Sequence, residues 1–244
     1  MAIIDVSDKN IRSRVLKYLR DMKTRNPNAT VLDVGGAANP WCDEFVDAYI
    51  DINYLKTEKK VFIGDICQPK LWEEVAKVKY DFSICTQVLE DIRNPEFVIR
   101  QIINTSKAGF ISVPNKHTEM SCVESSHYLG YYHHRWIFTI LSDQTLKLFP
   151  KLVMVDYFLP KNRLHHFLGS NPFLRRFVQR RLRNAAIPGG PGLSWIDLKK
   201  VSMNYELGFI WERGFSWEIA RGDYAGPDYW SMIEAYRTEL AEGL

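Results

Sequence analysis

Residues 31–40, VLDVGGAANP, decide how this chain is read. Val31, Leu32 and Asp33 read as the end of a buried strand, and Gly35-Gly36-Ala37-Ala38 follow with no side chain larger than a methyl. Asn39-Pro40 then opens an expected helix to about Ala48, with Trp41 and Phe45 on one face. A strand that breaks into a small-residue turn lets backbone N–H groups approach a ligand closely. Doubly wound α/β sheets hold nucleotides in this way, at the carboxyl ends of their strands.

Outward from that turn, strand and helix alternate. Ser7 to Arg25 carries Ile11, Val15, Leu19 and Met22 at helical spacing, with Ser7 or Asp8 as the expected cap. Asn26-Pro27-Asn28 ends that helix and leads to a first strand at 29–34. A second strand, 48–52, contains Asp51; Asp33 to Asp51 is 51 − 33 = 18 residues, one strand–helix–strand step. A third strand at 61–63 leads into Gly64-Asp65-Ile66, and a short helix is expected over 71–77. The apolar run YDFSICT at 80–86 is a fourth strand, 95–106 a helix, and 109–113 a fifth strand. Such alternation predicts a parallel sheet covered on both faces.

Beyond Pro114 the rhythm changes. Residues 115–139 are rich in His and Tyr without clear periodicity, and are expected as a loop; 142–149 reads as a helix and 152–159 as a sixth strand. Residues 160–200 read as an insertion containing the loop IPGGPG. Leu207–Glu212 and Phe215–Arg221, joined by Arg213-Gly214, predict a hairpin, and 227–240 a closing helix.

At 244 residues and 46% hydrophobic, the chain has enough apolar material for one large domain. No apolar run reaches the roughly 18 residues a membrane span needs. The opening MAIIDVSDKN lacks a signal-peptide pattern. The four cysteines, Cys42, Cys67, Cys85 and Cys122, have no CxxC spacing, which suits a reducing, cytoplasmic setting. A net charge of +3 is too small to indicate nucleic acid by itself.

Four segments in order, VLDVGGAANP, YIDIN, GDICQP and YDFSICTQVLEDIRNP, resemble the class I S-adenosylmethionine-dependent methyltransferases. The resemblance covers about residues 29–115 and the closing strands more loosely. It implies a Rossmann-like α/β fold: a seven-stranded, mostly parallel sheet with an antiparallel last strand and helices on both faces. Residues 1–244 would form one domain, with an acceptor-side loop at 115–140 and a lid-like basic insertion at 160–200. The implied cofactor is S-adenosylmethionine. Asp33 and Gly35 would bracket its methionine part, Asp51 would meet the ribose, Asp65 and Ile66 the adenine, and Thr86 and Gln87 the region near the sulfonium, with Gly36, Ala37, Asn39 and Ile52 as further cofactor contacts. Two departures stand out. Gly35-x-Ala37-x-Asn39 replaces the frequent Gly-x-Gly-x-Gly, and Asp91 stands where a His often follows Leu-Glu. Asp91 could serve as base or metal ligand, or cap the helix begun at Asn94. A nicotinamide enzyme would favour Gly-x-Gly-x-x-Gly, whose third Gly falls at Pro40 here.

Residues 112–138 hold His117, His127, His133 and His134, Glu119 and Glu124, Arg135, and the rings of Tyr128, Tyr131, Tyr132 and Trp136. Methyl transfer to a hydroxyl requires alignment and removal of a proton, for which histidine suits neutral pH. The Gly-Tyr-x-His-His-Arg-Trp run resembles one in methyltransferases of polysaccharide and lipopolysaccharide assembly. It implies a sugar hydroxyl as acceptor, His133 or His134 as general base with Asp91 and His127 behind, and Glu124, Tyr132, Arg135 and Trp136 as acceptor contacts. A Mg²⁺ or Mn²⁺ ion on Asp91, Glu119 or Glu124 with one histidine stays open, although no HxH or HExxH spacing marks it. Methylation of a small metabolite or a protein side chain, or a binding module without catalysis, are the other readings.

Residues 173–183 place Phe173, Leu174, Phe177, Val178 and Leu182 on one helical face and Arg175, Arg176, Arg180, Arg181 and Arg183 around the other. This basic amphipathic pattern suits an anionic membrane surface or a phosphate-bearing acceptor. Nucleic acid fits less well, since aromatic and basic residues are not interleaved along an extended platform.

Overall fold

The computed structural model describes residues 2–5, 10–36, 40–119, 130–151 and 206–220. The expected strand at 152–159, the insertion at 160–200 with its basic helix, and the closing helix at 227–240 lie outside the described residues. So do Ala37, Asn39, Glu124 and His127.

The described strands are β1 (Ala2–Asp5), β2 (Val31–Val34), β3 (Ala48–Asp51), β4 (Lys60–Ile63), β5 (Tyr80–Thr86), β6 (Ser106–Pro114), β7 (Trp136–Ile140), β8 (Leu146–Pro150), β9 (Glu206–Glu212) and β10 (Trp217–Ile219). The helices are α1 (Ile11–Arg25), α2 (Pro69–Val75), α3 (Pro95–Thr105) and α4 (Lys116–Glu119). A seven-stranded sheet has the order β1-β9-β6-β5-β2-β3-β4. The β2–β3, β3–β4, β2–β5 and β5–β6 pairs are parallel, whereas β9 runs antiparallel to both β6 and β1. This is the mostly parallel, Rossmann-like sheet with a reversed last strand that the sequence resemblance implies. Strand order turns back between β2 and β5, which creates the crevice where α/β sheets bind ligands.

Continuous apolar runs suit strands buried on both faces. Val31, Tyr49, Phe82, Ile84, Phe110 and Ile210 pack with Ile11, Val15 and Leu19 of α1 on one side. Leu32, Val34, Ile50, Ile111 and Trp211 pack with Trp72 of α2 and Val98, Ile99 and Ile102 of α3 on the other. Asn94 caps α3 by accepting from the Phe97 N–H at 3.1 Å, with Pro95 opening the first turn. Asp91 is therefore not the cap of that helix.

Several expected elements differ. Helix α1 starts at Ile11, later than Ser7. The expected helix at 40–48 is a single 3₁₀ turn, Asp43–Phe45. Asp43 is held by Tyr49 Oη, which donates to its carboxylate at 2.5 Å, and by Lys59 at 2.8 Å. The backbone turns extended at Val46, with ψ 134°, and enters β3 at Ala48. Residues 142–149 form a turn and strand β8, not a helix, because Leu146, Leu148 and Phe149 are buried across a second sheet, β10-β8-β7. Trp136–Ile140, expected within a loop, is strand β7, with Ile137 and Phe138 buried. The expected hairpin does not form: β9 belongs to the large sheet and β10 pairs with β8 in the small one. Positive φ at Arg213 and Gly214 turns the chain between them. Strand β1, absent from the sequence reading, supplies the seventh strand of the large sheet. Among the described residues no helix is long and apolar enough to cross a membrane.

Candidate functional site

The carboxyl ends of β2, β3, β4 and β5 bring the predicted cofactor residues to one edge of the sheet. Gly35 leaves β2 with φ +81°, and its N–H donates to Ile50 O at 2.7 Å, which locks the turn against β3. A Cβ there would lie 2.5 Å from Val88 Cγ2, so both the conformation and the space call for glycine. Asp51 ends β3; its Oδ1 accepts from the Asn53 N–H at 2.8 Å, while its carbonyl accepts from the Gly64 N–H at 2.9 Å. These bonds hold the loops after β2, β3 and β4 in one row. Ile52 is exposed beside Asp51, at 69% of its full accessibility.

Asp65 does not stand clear of the protein. Arg93 donates to its Oδ2 at 2.7 Å and the Cys67 N–H to its Oδ1 at 2.8 Å. Ile66 is buried, and its carbonyl accepts from the Trp72 indole at 2.7 Å. Past β5, Gln87 has φ +54°, unusual for a residue with a side chain, and its backbone N–H donates to Ser112 O at 2.9 Å. Thr86 Oγ1 and Gln87 Nε2 are buried without a hydrogen-bond partner among the described residues. Buried polar groups normally have partners, so such pairs call for an explanation.

Asp33 is the most anomalous group at this edge. It is buried, and neither carboxylate oxygen has a well-formed hydrogen bond among the described residues. Burial pushes its pKa up to about 7; the nearby Gly36 N–H draws it back down, and the charges of Asp51 and Asp43 raise it further. Gly36 packs so closely that a Cβ would lie 2.2 Å from Asp33 Oδ1.

The acceptor-side residues form a second group. Backbone N–H groups of Arg135 and Trp136 donate to Glu90 O at 2.6 and 3.2 Å, and the Trp136 indole donates to Ile92 O at 2.9 Å. Strand β7 is thereby tied to the loop that follows β5. This brings Asp91 near His133 and His134, with Nε2···Oδ1 separations of 3.9 and 3.7 Å. His134 is buried; its Nδ1 lies 2.6 Å from Glu119 Oε1, and Lys151 Nζ lies 2.5 Å from Glu119 Oε2. Lys151 also donates to Tyr131 O at 2.6 Å. Gly130, at φ +62°, passes so near that a Cβ would lie 2.3 Å from Glu119 Oε2. His133, Tyr132 and Arg135 are exposed, whereas Trp136 is half-buried.

Sequence reading missed Lys151 and Glu90. Lys151 stands 151 − 119 = 32 residues from its partner, so no local spacing marks it. Glu90 is buried, and burial, with Asp91, Glu119 and Glu206 adding to it, pushes its pKa well above the carboxylate range, against the pull of its own backbone N–H. The Leu-Glu at 89–90 was the available signal.

No family model and no curated protein matches the chain. Solved structures match weakly. The N-terminal domain of EvdMO1 with SAH bound is 14% identical, with a TM-score of 0.31 over 47% of this chain and 55% of that one. The methyltransferase domain of bacterial CtHen1 is 15% identical, with a TM-score of 0.32 over 43% and 68%. Coclaurine N-methyltransferase, bound to N-methylheliamine and SAH, is 14% identical, with a TM-score of 0.33 over 43% and 36%. The chain spans little more than half of the first of these. Likeness at that level identifies neither ligand nor activity, and the fold assignment rests on the strand order itself.

Proposed function

We propose that this chain is an S-adenosylmethionine-dependent O-methyltransferase that acts on a sugar hydroxyl. The observation that carries the reading is the electronegative, under-bonded sheet edge. Asp33 feels Asp51 and Asp43, and Thr86 Oγ1 and Gln87 Nε2 lack partners among the described residues on the facing strand end. A ligand bearing positive charge and several hydrogen-bonding groups suits that edge, and a sulfonium cofactor carries both. The bound cofactor would supply the methyl group on a good leaving group. Asp51 would accept from ribose hydroxyls with its two oxygens, and Gly35 and Gly36 would admit the methionine part to the backbone.

The acceptor half of the reading rests on the group beyond β5. A carboxylate on one ring nitrogen is the arrangement that orients catalytic imidazoles, and Glu119 holds His134 Nδ1 in this way while Nε2 faces Asp91. His133, exposed beside it, is the second candidate base. Tyr132 and Arg135, exposed on either side of the two histidines in sequence, suit a polar ring.

Calorimetric titration with S-adenosylhomocysteine tests the cofactor. Micromolar binding to the wild type, weakened at least tenfold (about 1.4 kcal/mol) by Asp51→Ala, supports the proposal. A wild-type protein that binds neither S-adenosylhomocysteine nor S-adenosylmethionine overturns it.

A further inference from the structure

The groups beyond β5 have an arrangement that proton transfer does not require. One ligand atom each from Asp91, His133 and His134 lies within 4.8 Å of the other two. At 3.7 and 3.9 Å from Asp91 Oδ1, neither imidazole is hydrogen-bonded to it. Glu119 meanwhile sits on the far nitrogen of His134, at 2.6 Å, and is itself neutralised by Lys151. With Nδ1 on Glu119, Nε2 is the His134 nitrogen on the side of Asp91. Ring nitrogens of both histidines and a carboxylate oxygen of Asp91 thus converge on one gap.

We propose that Asp91, His133 and His134 bind one divalent transition-metal ion of the zinc class, with Glu119 as the positioning residue of His134. Two imidazoles and one carboxylate favour such an ion over Mg²⁺ or Ca²⁺, which prefer oxygen donors. At metal–ligand bonds of about 2 Å, tetrahedral ligand atoms stand roughly 3.3 Å apart. A movement of about half an ångström closes both separations to Asp91, and the side chains of Asp91 and His133, 42% and 58% exposed, can make it. His134 cannot wander, being buried against Glu119 and the Tyr131 ring, whose centroid is 4.6 Å away. A carboxylate on the outer nitrogen of a ligating histidine is the usual support of metal sites. Three protein ligands leave a coordination position open. Metal binding itself does not rest on the methyltransferase reading. Should both hold, His133 and His134 would hold the ion rather than act as bases.

The full chain, stripped with chelator, is titrated with Co²⁺ by visible absorption and then competed with Zn²⁺. One equivalent should bind. Asp91→Asn and His133→Ala should each weaken binding at least tenfold, with melting temperatures in chelator unchanged. Glu119→Gln should weaken it about 10- to 100-fold and alter the spectrum of bound Co²⁺, which lost stability alone would not do. Failure of the wild type to bind one saturable equivalent, or wild-type affinity in both Asp91→Asn and His133→Ala, overturns the proposal. S-adenosylhomocysteine titration of the same samples separates the two ideas. Cofactor binding without metal binding sinks only this one, and metal binding without cofactor binding sinks only the methyltransferase reading.

Discussion

Asp33 and Glu119 are equally buried carboxylates, each 1% exposed, yet the protein treats them in opposite ways. Glu119 has a cation on one oxygen and an imidazole on the other. Asp33 has no cation and no well-formed hydrogen bond among the described residues, and its pKa rises to about 7. A buried charge without a partner costs several kcal/mol, and burial accordingly pushes Asp33 towards its neutral form. The paired acid builds a framework that orients His134. The unpaired one stands at the sheet edge to which the proposed cofactor is assigned.

Breaking the paired side should have the largest effect. Lys151→Met leaves Glu119 buried without its cation and should cost about 3–5 kcal/mol, measured by urea denaturation. The double variant with Glu119→Gln should recover more than half of that loss; no recovery would mean that Lys151 acts through packing alone.

The unpaired side should show itself through pH. The folded pKa of Asp33 lies above its unfolded value, so between the two the native state holds a proton that the unfolded chain has released. Stability therefore falls as pH rises from the ordinary carboxylate range towards about 7, and the penalty is fully present above it. Asp33→Asn removes this titration. Its stability relative to the wild type should rise by on the order of 2–3 kcal/mol between pH 5 and pH 8. Parallel pH curves for the two proteins would show that Asp33 keeps an ordinary pKa.

Gly130→Ala tests the framework at its tightest point. The left-handed backbone and the 2.3 Å approach to Glu119 both oppose a Cβ. A loss of about 2 kcal/mol is expected from thermal melts, with metal affinity falling in step as Glu119 is displaced. Unchanged stability would show that the loop can move away from Glu119.

The two regions also differ in how far sequence revealed them. The edge around Asp33 was legible because Val31–Val34, Ala48–Asp51 and Tyr80–Thr86 are strands buried on both faces, read as apolar runs ending in small or acidic residues. The small sheet was not. Residues 142–149 have apolar spacing that fits a helix turn as well as β8, and partners on β7 and β10 decide between them. Trp136–Ile140 was hidden by its polar neighbours, although Ile137 and Phe138 are core residues. Strand β1 is a four-residue edge strand whose pairing with β9 spans nearly the whole chain. The same holds for the site. His133, His134 and Asp91 were singled out by type, whereas the Glu119–Lys151 support depends on contacts between distant residues.

Asp65 and Arg93 supply an intermediate case, a paired acid at the unpaired edge. The pair is solvent-exposed, with side chains 36% and 58% accessible. Exposed pairs contribute little, so Arg93→Ala should change stability by less than about 1 kcal/mol. Its consequence for a ligand should be clearer. Arg93 holds the oxygen that an adenine amine would need, while the Cys67 N–H holds the other. Removing the guanidinium frees one acceptor without disturbing the turn. S-adenosylhomocysteine binding should then tighten, by no more than about fivefold, the equivalent of an exposed ion pair. Weaker binding in Arg93→Ala would assign the guanidinium itself to the ligand and make Asp65 its support, which is the relation Glu119 has to His134.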